Sequence, residues 1–241
     1  MPVPKDVLAR LADSVQPLVF ETGIPEYPYS VAGTVFLVGH EGHPFVLTTR
    51  HGLTPDNLRP ICVFPSDTSL RMLPLKDVFY VPSEHEAEDF VDLAVIAVDT
   101  SRVEHGEVAQ AKLIDLSLAS GDWLSSADEA EFFMLGFPRD HAFVDYERAE
   151  LHTERMVLQA RYVGPSALPH LHELSIVDAH SLTTFSGFSG APVFAWVTRN
   201  GGRPRLILCG MAIRGTPESG RVHFLDRSVL LDALRVKRLL G

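Results

Sequence analysis

Gly187-Phe188-Ser189-Gly190-Ala191-Pro192 is the stretch on which the reading of this chain turns, because it sets one serine between two glycines directly ahead of the apolar run Pro192 to Val197. Acyl transfer needs a hydroxyl within reach of a carbonyl carbon, and backbone N–H groups aimed at the oxygen on which negative charge develops. Glycines permit the tight turn that aims them. A serine hydroxyl is a weak nucleophile by itself, so the chemistry also requires a base and a group that orients the base. Two runs further out supply both. Phe45-Val46-Leu47-Thr48-Thr49-Arg50-His51 is a β-prone run ending in an imidazole, and Asp92-Leu93-Ala94-Val95-Ile96 opens another such run with a carboxylate.

The order His51, Asp92, Ser189 is the chymotrypsin order and differs from those of subtilisin and the α/β-hydrolases. With the segments Thr-Thr-Arg-His, Asp-Leu-Ala-Val and Gly-Phe-Ser-Gly-Ala-Pro-Val, the chain resembles the trypsin-like serine peptidases over roughly Val31 to Leu239. The resemblance implies an all-β fold of two six-stranded antiparallel β-barrels of chymotrypsin type, with an N-terminal and a C-terminal helix. It implies a serine endopeptidase working through an acyl-enzyme, with no cofactor and no metal. Ser189 is then the nucleophile, His51 the general base and acid, and Asp92 the residue that holds the imidazole tautomer, while the amides of Gly187 and Ser189 form the oxyanion hole. Asp89 is the competing carboxylate; the resemblance places the acid directly before the Leu-Ala-Val run, which favours Asp92.

The resemblance also marks departures. Phe188 stands where secreted relatives carry an aspartate that pairs with a newly cut N-terminus, so the oxyanion loop is either preformed or ordered by an activating protein partner or by substrate. Ile213 stands where many relatives have a serine supporting the catalytic acid. Relatives pair substrate backbone with the segment matching Ile213, Arg214 and Gly215. Thr183, Thr184, Ala212, Ile213 and Gly220 then line a primary pocket suited to a small or moderately apolar side chain, with no acidic floor for Lys or Arg.

Composition fits this class. At 241 residues and 46% hydrophobic content the chain can bury a sizeable core as one domain. The 17 glycines and 17 prolines suit many short strands joined by turns. A net charge of −10 argues against nucleic acid as a partner. Arg235, Lys237 and Arg238 read as a solvated face at the end of a helix. Cys62 and Cys209 lie in apolar runs as small core side chains, which with the absence of a disulfide framework fits a reducing compartment. The N-terminus lacks the apolar core of a signal peptide, and no stretch approaches about 18 apolar residues, the span of a membrane helix. The expectation is a soluble, cytoplasmic protein of bacterial type whose partner is a protein or peptide substrate, with no membrane association.

Along the chain, residues 1–30 are read as a helix and lead-in, with the apolar spacing of Val7, Leu8, Leu11 and Val15 predicting a helix over Asp6 to Leu18. Residues 31–98 are read as the first barrel, 99–130 as the connection, 131–226 as the second barrel and 227–241 as a C-terminal helix capped by Ser228 or Asp226. Asn200-Gly201-Gly202 is a turn signal. Histidine pairs such as His170 and His172, or His85 beside Glu86 and Glu88, are weak metal signals, better explained as scattered surface histidine. Two further functions compete with the peptidase: a catalytically silent trypsin-like scaffold that binds peptide in its cleft, and an esterase using the same three residues.

Overall fold

The structure is a computed structural model that describes residues 3–53, 61–67, 69, 71–81, 91–102, 111–148, 150–177, 183–198 and 204–239. A short helix, α1 (Lys5–Ala12), leads into a first sheet built from β1 (Val15–Glu21), β2 (Tyr29–His40), β3 (His43–Thr48), β4 (Ile61–Cys62), β5 (Leu75–Tyr80) and β6 (Ala94–Val98), and β7 (Ile114–Asp115) adds to it. Six of these strands run in the antiparallel order β4-β1-β2-β3-β6-β5, and β7 lies parallel beside β2. Two 3-10 turns, Leu116–Ala119 and Leu124–Ser126, then lead to the second half.

The second half contains β8 (Ala130–Gly136), a hairpin of β9 (Ala142–Asp145) and β10 (Glu150–Thr153), then β11 (Met156–Pro165), β12 (Leu171–Ile176), β13 (Pro192–Val197), β14 (Arg205–Thr216), β15 (Arg221–Asp226) and the helix α2 (Arg227–Leu239). Strands β11-β12-β15-β14-β13-β8 close into a barrel. The protein is thus mostly β, with one closed six-stranded barrel, one curled half-barrel and a helix at each end.

Several strands are apolar on both faces, and packing explains why. In β2, Val35 and Leu37 point into the half-barrel, while Phe36 and Val38 point into a shared core between the two sheets. In β8 and β13 the same alternation sends Phe132, Met134, Val193 and Ala195 into the closed barrel and Phe133, Leu135, Phe194 and Trp196 into the shared core. Side chains alternate across a strand, so burial on both sides requires a continuous apolar run. The rings of Phe133 and Phe194 stack at 5.5 Å across that core. Leu230, Ala233 and Leu234 of α2 close it from one end. The Asp226 carboxylate accepts the Ser228 amide at 2.8 Å, so of the two candidate caps Asp226 is the one used.

Three expectations are corrected. The first sheet is not a closed barrel among the described residues: β4 offers only two residues, and the approach between its end and β5 is one bond, from the Leu73 amide to the Val63 carbonyl at 2.7 Å. Pro65 and Pro74 flank that bond and have no N–H to extend it. The helix predicted to Leu18 ends at Ala12, and Val15 begins a strand. Pro17 is the reason, since it would break a helix interior but is tolerated here. It sits opposite Thr34, whose carbonyl accepts the Thr48 hydroxyl at 2.8 Å and so needs no N–H from β1. Lastly, Lys237 is not solvated: it is 8% exposed, with Nζ 3.8 Å from Asp77. The turn at Asn200-Gly201-Gly202 lies outside the described residues. Cys62 and Cys209 are buried and not joined in a disulfide. No described helix is long and apolar enough to cross a membrane.

Candidate active site

The loop from Thr184 to Ala191 commits its amides selectively. Ser186 donates to the Thr184 hydroxyl at 2.9 Å, Phe188 to the Phe185 carbonyl at 3.1 Å, Gly190 to the Ala212 carbonyl at 2.8 Å and Ala191 to the Phe188 carbonyl at 2.9 Å. Among the described residues, the amides of Gly187 and Ser189 donate to no protein acceptor. Two glycines make this turn possible. Gly187 has φ +97° and Gly190 φ +90°, and a Cβ at either would lie about 2 Å from a backbone oxygen, of Phe137 or Thr34 respectively.

Phe188 anchors the loop. It is 2% exposed within the closed-barrel core, where its ring meets that of Phe185 edge-on at 6.4 Å. Burial of an aromatic side chain holds the turn there without any titratable partner.

His51 lies on the 3-10 turn Arg50–Gly52 that follows β3, and Asp92 immediately precedes Leu93 and β6. Strands β3 and β6 pair antiparallel, with Thr48 opposite Ala94, which brings the ends carrying these two residues together. The Asp92 carboxylate accepts the His51 amide at 2.9 Å through Oδ1 and contacts the ring Nδ1 through Oδ2. Side-chain exposure is 15% for Asp92 and 56% for His51. The carboxylate is shielded, the imidazole is accessible, and Nε2 is the ring nitrogen that faces away from Asp92. The competing Asp89 lies outside the described residues, as do His85, Glu86 and Glu88.

Ser189 lies on a turn ahead of β13 in the other half. Its hydroxyl donates to the Ile213 carbonyl at 3.0 Å. A β-bulge sets that carbonyl: the pairing of β14 with β15 shifts between Ala212 and Arg214, which leaves Ile213 out of register. His51, Gly187 and Ser189 line one cleft of about 410 Å3, together with Arg139 and Ser186.

Thr34 joins the halves. Fully buried, its hydroxyl donates to the Gly187 carbonyl at 2.6 Å and accepts the Phe137 amide at 3.0 Å. Its carbonyl accepts the Thr48 hydroxyl at 2.8 Å. β2 reaches the serine loop here because its pairing with β3 begins only at Phe36, so the backbone of Thr34 is available to the second half.

Of the residues expected to bind substrate, Ile213 meets the Ser189 hydroxyl directly through its carbonyl. Ala212, Ile213, Arg214 and Gly215 sit on β14, with Ala212 and Ile213 buried and Arg214 exposed. Thr183 bonds to the Asp140 carboxylate and Thr184 caps Ser186. Gly220 closes the turn between β14 and β15, its carbonyl accepting the Ile176 amide at 2.8 Å. None of these lines the cleft shared by His51 and Ser189. Residues 178–182, which precede Thr183, are outside the described set.

Sequence reasoning missed Thr34 and the contribution of β1. A threonine inside a β run carries no local mark of a contact made across two sheets. For β1 a signal existed, in Pro17 followed by Leu18-Val19-Phe20. No protein-family model matches the chain, and no curated protein matches it in sequence.

Proposed function

We propose that this chain is a serine endopeptidase of trypsin-like architecture, with the half-barrel as the open counterpart of the first barrel. One observation carries the reading: an accessible imidazole, oriented by a shielded carboxylate, shares a cleft with a serine whose own amide, like that of Gly187, lacks an acceptor among the described residues. Ser189 Oγ attacks the carbonyl carbon of a peptide, and its proton passes to Nε2 of His51, because Nδ1 is held by Asp92. The oxygen that gains charge accepts from the Gly187 and Ser189 amides. His51 then hands the proton to the leaving amine, and water repeats the sequence on the ester. This chemistry requires no cofactor. Before attack, the Ser189 hydroxyl has to turn from the Ile213 carbonyl toward His51.

The buried Phe188 supports a loop that is formed before substrate arrives, so we read activity as independent of an activating partner. We also read the protein as cytoplasmic, with protein or peptide as its substrate. Labelling by a fluorophosphonate probe tests the reading. Wild type should label at Ser189, while Ser189→Ala should not label and His51→Ala should label far more slowly. Folded wild type that never labels would overturn it.

The bond from Ser189 to Ile213 favours a second reading, in which the same cleft binds peptide without cutting it. Peptide retention without labelling or turnover would select that alternative.

A further inference from the structure

Among the described residues, most of the lining of the cleft between His51 and Ser189 comes from the first half of the chain. The apolar walls of this cavity are Leu18 and Phe20 of β1, Val31 and Ala32 of β2, Leu53 just after the 3-10 turn that carries His51, and Ile61 of β4, and among the described residues none of β14 contributes. Leu18, Val31 and Leu53 are themselves core residues, so the walls are backed by packed protein. The position after His51 is Gly52, where a Cβ would come within 3.2 Å of Leu18, so the absence of a side chain keeps that wall clear.

Reaction geometry tells which part of a substrate meets this cavity. The carbonyl carbon bonds to Ser189 Oγ, and its oxygen turns toward the amides of Gly187 and Ser189. The leaving amine must lie beside His51, which protonates it. The first sheet, on the His51 side, is therefore where the departing half of the substrate rests. We propose, on the basis of the hydrolase reading above, that this cavity is a specificity pocket for a large apolar side chain on the leaving-group residue, one that selects peptides with Leu, Phe or a similar residue just after the scissile bond. Those six residues carry no charge, and Arg139, which lines the same cleft, is cationic, so a basic side chain placed there would lose hydration and meet no acidic partner among the described lining residues.

Aminolysis isolates this half of the site from the acyl half. An acetyl-enzyme formed from p-nitrophenyl acetate is offered leucinamide, phenylalaninamide, glycinamide or lysinamide in competition with water. The amine nitrogen attacks the ester carbonyl, the new C–N bond replaces the bond to Ser189 Oγ, and the amine proton passes through His51 back to that oxygen. Leucinamide and phenylalaninamide should capture the acetyl group at least about tenfold more efficiently than glycinamide or lysinamide, the scale on which an apolar pocket discriminates. Ala32→Phe, which fills the cavity and whose fold is checked by circular dichroism, should bring the ratio toward unity. Should that variant not fold, the wild-type ratio decides alone. Equal capture of all four amines, a preference for lysinamide, or an unchanged ratio in folded Ala32→Phe would overturn the pocket while fluorophosphonate labelling leaves the hydrolase reading standing. Absence of labelling would remove both.

Discussion

The hydroxyl of Thr34, on the half-barrel, donates to the carbonyl of Gly187, in the serine loop of the closed barrel, at 2.6 Å. The same oxygen accepts the Phe137 amide at 3.0 Å, so one buried side chain satisfies a donor and an acceptor from two loops of the opposite half. Removing it leaves both groups buried without a partner, each at a cost of about 1–3 kcal/mol. Thr34→Val should therefore lower the unfolding free energy by roughly 2–4 kcal/mol and slow labelling of Ser189, whereas Thr34→Ser should restore both. Urea unfolding and labelling rates check this, and a Thr34→Val protein equal to wild type in both would refute the role of the contact.

Phe188 anchors the turn through burial alone. Phe188→Ala should destabilise the fold by about 3–5 kcal/mol, the usual cost of deleting a buried aromatic ring, and Phe188→Leu by clearly less. Because no titratable partner holds the ring, both losses should be the same at acid and neutral pH. Denaturant midpoints at two pH values measure it.

Asp92→Asn keeps an oxygen that can accept the His51 amide, so the fold should survive with little change in melting temperature. The ring nitrogen facing position 92 then lacks a carboxylate to fix its tautomer, and turnover should fall by about three to four orders of magnitude, the scale known for this exchange in chymotrypsin-type sites. Activity that persists within tenfold of wild type would show that the Asp92 carboxylate does not orient a catalytic imidazole at His51.

His172 contributes an acid-sensitive element to the closed barrel. Its ring packs on Trp123 and Phe224, and Nδ1 meets the Tyr162 hydroxyl at 2.9 Å. Burial pushes its pKa below the ordinary 6.5, with the His170 charge acting in the same direction and Asp226 opposing both. The folded protein thus binds this proton less readily than the unfolded chain. Stability from this site is complete above about pH 6.5, falls as pH drops through that value, and levels off below the depressed folded pKa. His172→Gln, which does not titrate, should flatten part of the decline. The remaining slope should include His223, whose pKa is also depressed by burial and by Arg214. Urea midpoints across pH 5 to 8, roughly the range over which histidine titrates, test the sign.

The two thiols should be inert in the native state. Burial, aided by Glu21, pushes Cys62 up to about 11, and burial raises Cys209 further from reactivity. A chromogenic disulfide reagent at about pH 8 should react with neither at an appreciable rate until denaturant is added, since the thiolate is the nucleophile. Rapid native-state reaction of either would contradict their packing.

Much of the architecture was legible because it depends on local pattern. The runs at Phe45, Pro192 and Val222 are strands since β-branched and aromatic side chains favour the extended chain, and two-sided burial makes the first two continuous while the run at Val222 largely alternates. The helical period runs past the end of the first helix because Val7, Leu8, Leu11 and Val15 all match it while the last of them belongs to β1. Local spacing cannot report that Val15 pairs with Phe36. Closure of the first sheet is not legible locally for the same reason: whether β4 reaches β5 depends on long-range pairing, and two prolines and a two-residue strand decide it.

At the candidate site, the sequence alone determined which chemical groups exist and the strand or turn on which each sits: a serine between glycines, an imidazole ending one β run, a carboxylate opening another. Only the tertiary structure decided that Asp92 bonds twice to His51, that a bulge turns the Ile213 carbonyl to Ser189, and that Thr34 ties the serine loop to the opposite sheet. The reason is physical. Strand and turn preferences come from a residue and its chain neighbours, whereas a buried polar contact between residues 153 positions apart exists only once both sheets have packed and excluded water from the seam.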